Sequence, residues 1–99
     1  MIPCYNDTMH TTITRYRKAN AEYIDVTCEA QENKLDQDRM IFLQMIAARC
    51  GVEQNRGMPK SNYTKGKAYD TQTLTFKNPT AQFEQQLIAW QLGKSFDNF

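Results

Sequence analysis

The sequence predicts a mainly α fold. It reads as a helical hairpin followed by a C-terminal amphipathic helix, with a basic loop and a short β-strand or hairpin between them. An α+β arrangement is the alternative. Two observations carry the helical reading: an apolar seam at alternating three- and four-residue spacings over about 9–31, and two later segments with helix start and stop signals around apolar stripes.

Residues 1–8 read as an irregular arm. Over 9–31, Met9, Thr12, Tyr16, Ala19, Tyr23, Val26 and Ala30 form the first seam. The same stretch holds β-branched runs, Thr11-Thr12-Ile13-Thr14 and Tyr23-Ile24-Asp25-Val26-Thr27, which suit two hairpin strands around Lys18-Ala19-Asn20. Alternation along those strands is poor, since Arg15 and Arg17 join Ile13 on one face. Helix is preferred.

The segment 34–50 carries the clearest helical signal. Asn33 is the expected N-cap, Asp36 and Asp38 sit near the positive end of the helix dipole, and Gly51-Val52 reads as a C′ glycine followed by an apolar contact. Met40, Leu43, Ala47 and Cys50 make a stripe that Ile41, Phe42, Met45 and Ile46 widen. This helix closes the hairpin assigned to 9–52. Core packing is the ordinary use of such a face; docking on a partner is the other.

Residues 53–77 change character to a basic loop and strand. Gly57 and Pro59 break the chain, Thr64-Lys65-Gly66-Lys67 is a turn, and Leu74 and Phe76 alternate along a short strand over 71–76. Its expected partner is the Tyr63–Thr64 stretch or part of the N-terminal region. Over 78–99, Asn78-Pro79 opens a helix to about Leu92 with Phe83, Leu87, Ile88 and Trp90 on its apolar side. Gly93 ends it, and Phe96 and Phe99 lie in the tail.

Size and charge bound the function. The 99 residues make a single small domain, which typically buries about 60–65% of its unfolded surface and has little core to spare for an enclosed active site. Twelve Lys and Arg against eleven Asp and Glu leave a formal charge of +1, so no whole-molecule field draws nucleic acid or anionic membrane. No basic region followed by an apolar run marks a leader, and the longest apolar stretch, about 40–48, is half of the ~20 residues a bilayer span needs. A soluble, cytoplasmic protein without a membrane partner is expected.

Catalytic constellations are missing: no phosphate loop, nucleophile elbow or metal-binding His-Glu-x-x-His occurs. The three cysteines, Cys4, Cys28 and Cys50, are odd in number and widely spaced, and the single histidine is His10, so neither a disulfide framework nor a zinc site is indicated. Glu29, Glu32, Asp36 and Asp38 read as solvated capping charges. No cofactor, metal or catalytic residue is expected, and the chain reads as a non-enzyme.

The feature that points to binding is a local charge asymmetry. Residues 54–77 carry Arg56, Lys60, Lys65, Lys67 and Lys77 against Asp70, with Tyr63 and Tyr69 interleaved. Cations that neutralise phosphates beside rings that stack on bases are the ingredients of a single-strand nucleic-acid surface. An acidic protein surface, or solvent alone, suits the same residues. Arg15, Arg17 and Lys18 with Tyr16 form a second basic group. Pro59, in an exposed Gly-Met-Pro-Lys setting, is a candidate docking site for a prolyl isomerase. Trp90 and Phe96 complete the candidate partner contacts.

The Met1-Ile2-Pro3-Cys4-Tyr5-Asn6 opening, the Arg39-to-Cys50 helix and the Trp90-to-Phe99 ending make the chain similar, in size and make-up, to small phage accessory proteins, and among them to the anti-RecBCD proteins of lambdoid phages. The resemblance implies a non-enzymatic protein that binds a host DNA-processing enzyme, the RecBCD helicase–nuclease, and protects DNA ends or recombination intermediates. The alternative function is a single-stranded nucleic-acid-binding protein that uses the basic, tyrosine-bearing 54–77 segment.

Overall fold

In the computed structural model, which describes residues 9–93, the mainly α expectation is overturned. Strands take 47% of the described residues and helices 28%. The elements run β1 (His10–Lys18), β2 (Ala21–Gln31), α1 (Gln37–Arg49), β3 (Glu53–Arg56), β4 (Lys60–Thr64), β5 (Lys67–Lys77) and α2 (Ala81–Gln91). All strand pairs are antiparallel. β5 lies between β2 on one side and, on the other, β3 and β4 placed end to end along its length; β1 flanks β2 and, among the described residues, has no strand on its outer edge.

The helical hairpin predicted over 9–52 is corrected to a β-hairpin followed by one helix. Ala19 and Asn20 take φ of +51° and +66°, which closes a two-residue turn and cannot sit inside a right-handed helix. β1 and β2 then pair without interruption from Lys18↔Ala21 to His10↔Glu29. The apparent 3–4 spacing was incidental. In β2 the working period is two: Ile24, Val26, Cys28 and Ala30 all face the core. Ile13, Arg15 and Arg17 do share a face, as the hairpin reading required. It is tolerable because the hairpin end runs past the core, where Arg15 reaches Glu84 on α2 at 2.9 Å.

The second predicted helix is present and three residues shorter at its start. Asp36, not Asn33, is the N-cap, accepting from Arg39 N–H at 3.1 Å, while Asn33 sits at φ +63° in the preceding turn. Its end follows the sequence closely. Gly51 at φ +70° donates to Ala48 O and the buried Val52 donates to Ala47 O, a Schellman closure. α2 likewise starts later than predicted, because Asn78 is used elsewhere. It exchanges hydrogen bonds with the Glu22 backbone, and Thr80 caps the helix through Phe83 N–H. The expected strand over 71–76 is the middle of the longer β5, and both of its expected partners exist, as β4 and β2. The supposed loop over 54–62 is mostly strand.

Both helices pack on one face of the sheet. The core lies between, built from Ile24, Val26, Cys28, Leu74 and Phe76 below and Met40, Leu43, Ile46, Ala47, Phe83, Leu87 and Trp90 above. Phe76 and Phe83 meet at 4.8 Å between ring centroids. Burying a side chain of that size contributes roughly 1.5–3 kcal/mol relative to exposure. Cys28 is fully buried and Cys50 half-buried, and both are free thiols packed as small apolar groups. No helix among the described residues is long and apolar enough to cross a membrane.

Candidate interaction surfaces

Placing both helices on one side leaves three surfaces for binding: the solvent side of the helices, the uncovered sheet face and the free edge of β1. On the helical side, four large apolar residues stay in solvent after the core is filled: Ile41 (44% exposed), Met45 (46%), Ile88 (54%) and Leu92 (66%). Each pair stands four residues apart along its own helix, so each helix presents one outward apolar stripe. The two helices are locked to each other by Arg39 and Trp90. The indole N–H donates to Arg39 O at 2.9 Å, an Arg39 guanidinium N–H donates to Trp90 O at 3.1 Å, and that guanidinium lies 4.5 Å from the ring centroid.

The uncovered face is read from the strand registers. Opposed residues share a side, so Thr12, Thr27 and Thr73 form one row, and Thr14, Asp25 and Thr75 the next. A third row runs Tyr16, Tyr23, Lys77. Tyr16 and Tyr23 stack at 5.3 Å with a 13° interplanar angle. Asp25 is the hub, accepting from Tyr16 OH at 3.1 Å and Thr75 Oγ1 at 2.9 Å, while Thr27 and Thr73 hydroxyls bond each other at 3.0 Å. Partial desolvation, and then the bond to Asp25, push the Tyr16 hydroxyl above its usual pKa, so it stays a neutral donor.

The sequence-predicted contacts divide. Lys60, Lys67 and Tyr69 come together on the uncovered face, opposite Thr71, Thr64 and Asn62 respectively. Tyr63 is 73% exposed but lies on the other side of the sheet, opposite Ala68, and Lys65 occupies the β4–β5 turn at φ +52°. Arg56 is turned toward α1, where it donates to Gln44 Oε1 at 3.3 Å. Pro59 lies in the 57–59 link between β3 and β4. That link is pinned at Gly57, whose N–H bonds Thr73 O at 2.8 Å and whose carbonyl accepts from the buried Gln72 side chain at 2.7 Å. A Cβ at Gly57 would meet Thr73 O at 3.1 Å, tighter than an ordinary contact. Trp90 is 2% exposed and belongs to the core, so it offers no surface to a partner. Phe96, like the 1–8 arm, lies outside the described residues.

Sequence reasoning missed the threonine and tyrosine rows. The signal was present, as Thr12-x-Thr14-x-Tyr16 and Thr71-x-Thr73-x-Thr75. It becomes a surface only once β1 and β5 are placed on either side of β2. Among the described residues no group of three or more His, Cys, Asp or Glu is placed to hold a metal ion. The Cys28 thiol is pushed up to about 11 by burial, against a smaller opposing effect of Arg39, and is no nucleophile at neutral pH. Comparison with known proteins gave no match to a family model, to a curated protein or to a solved structure.

Proposed function

We propose that this chain is a non-enzymatic binding protein that docks on a host DNA-processing enzyme through the solvent side of α1 and α2, acting in the host cytoplasm. The observation that carries the docking surface is the exposure of Ile41, Met45, Ile88 and Leu92 on two mutually braced helices. Exposed apolar stripes on a rigid layer favour a protein partner over solvent or an anionic polymer. The partner class follows the resemblance to anti-RecBCD proteins. The test is degradation of linear duplex DNA by purified RecBCD helicase–nuclease. Added chain slows degradation, and the Ile41→Glu/Ile88→Glu variant, unchanged in stability, does not. Undiminished degradation at saturating chain refutes the proposal.

One observation favours the second reading, single-stranded nucleic acid on the uncovered face. Lys60, Lys67 and Tyr69 share that face with the stacked Tyr16–Tyr23 pair. Binding of an oligothymidylate that weakens steeply with salt, and weakens further in Lys60→Gln/Lys67→Gln, would support it.

A further inference from the structure

We propose that the free edge of β1 accepts an extended acidic segment of a partner protein, which adds to the sheet as a further strand. This surface is separate from the helical one and does not depend on it.

The backbone is ready for pairing. The Ala19–Asn20 turn makes Lys18 and Ala21 a hydrogen-bonded pair, so every second residue back from Lys18 spends its N–H and C=O on β2. Glu22 confirms the phase. Its N–H and C=O bond Asn78, on the β5 side, so Arg17 opposite it has its backbone groups turned away from β2. Thr11, Ile13, Arg15 and Arg17 therefore present a row of outward N–H and C=O groups. Among the described residues no strand or loop covers the row, and β1 has nine residues in continuous register with no bulge and no proline; its charges are what restrict the strand that can add. The opposite edge of the sheet is treated differently, being broken into β3 and β4 by the Gly57–Pro59 link.

Charge selects the occupant. β1 carries Arg15, Arg17 and Lys18 and no carboxylate. The two guanidinium groups, 53% and 65% exposed, each make one ion pair, with Glu84 and Glu22, and keep further N–H donors for an incoming carboxylate. Lys18 has no ion-pair partner among the described residues. The arginines and their partners Glu22 and Glu84 line an open groove of about 290 Å³ together with Ile24 and Pro79, so a side chain of an added strand has a place to enter beside the guanidinium groups. A second copy of β1, pairing antiparallel along the whole strand, would set Arg15 opposite Ile13 and Arg17 opposite Thr11, and so would bring no carboxylate to either guanidinium. An acidic extended segment satisfies both the backbone row and the charge.

The experiment uses the whole chain and a nine-residue peptide of alternating glutamate and valine, with a lysine–valine peptide as its counterpart. The expected result is binding at least tenfold tighter for the glutamate peptide, lost in 0.5 M salt. Binding slows amide exchange at Thr11, Ile13, Arg15 and Arg17 and leaves Thr12, Thr14 and Tyr16, already paired in the hairpin, unchanged. Arg15→Gln/Arg17→Gln weakens binding about tenfold, Arg15→Lys/Arg17→Lys restores most of it, and Ile41→Glu/Ile88→Glu leaves it intact. Equal binding of both peptides, protection elsewhere than the four outward amides, or a chain that is dimeric through β1 overturns the proposal.

Discussion

Replacing Ala19-Asn20 by Asn-Gly tests the element on which the fold turns. The two residues sit at φ +51° and +66° in the β1–β2 turn. An L-residue with a plain Cβ costs roughly 1–2 kcal/mol in that region, a cost that asparagine reduces and glycine escapes. Asn-Gly is also the preferred pair for a two-residue turn whose twist matches the strands. After allowance for the extra freedom of glycine in the unfolded chain, the Ala19→Asn/Asn20→Gly variant should gain about 1 kcal/mol. In a helix over 9–31 the same change would cost about 1 kcal/mol, from Ala to Asn and then Asn to Gly at interior positions. The two structures therefore differ in sign, by about 2 kcal/mol in all. Urea unfolding followed by Trp90 fluorescence reads it directly, since Trp90 is buried and the chain has no other tryptophan. With a slope of about 2 kcal/mol/M the midpoint rises by roughly 0.5 M. A midpoint that falls refutes the turn.

Cys28 gives a pH signature. Its thiol moves from the ordinary 9.0 to about 11 on folding, so the stability it contributes is fully present below pH 9 and is lost as pH rises toward 11. At pH 10.5 the loss reaches about 2 kcal/mol relative to pH 8, and Cys28→Ala should lack that component of the slope. Equal pH dependence in the two proteins would show the thiol to be solvated. Trp90→Phe keeps an aromatic ring but removes the indole N–H to Arg39 O and leaves a gap, and should cost about 1–3 kcal/mol by thermal unfolding followed by circular dichroism. A loss below about 0.5 kcal/mol would mean that the Arg39–Trp90 lock does not brace the helices.

Signals local in the chain were legible. The C-terminal closure of α1 at Gly51-Val52 could be read because a left-handed residue followed by an apolar one is a property of adjacent positions. The turn at Lys65-Gly66 and the alternation of Leu74 and Phe76 were legible for the same reason. The hairpin at 10–31 was written in its β-branched runs, yet a seven-residue seam at helical spacing competed with it. The deciding quantities, the φ of Ala19 and Asn20, belong to no residue type that demands them. The N-caps were displaced because Asn33 and Asn78 were recruited by distant partners, Asp70 and the Glu22 backbone.

Residue identity and near neighbours were enough to show a small, nearly neutral chain, the apolar-striped helices at 37–49 and 81–91, and a basic, tyrosine-bearing segment between them; a third helix expected over 9–31 is a β-hairpin. Which of these residues reach the surface, and on which face, depends on strands that pair far apart in the chain. Pairing β5 between β2 and β3/β4 buried Trp90, turned Arg56 toward Gln44, and separated Tyr63 from Lys60, Lys67 and Tyr69. Among the described residues it also left the outer edge of β1 without a partner strand, with Arg15 and Arg17 on that strand. The reason is physical: strand order and register couple residues far apart in the chain, and a one-residue change in register would reverse which face each of them occupies.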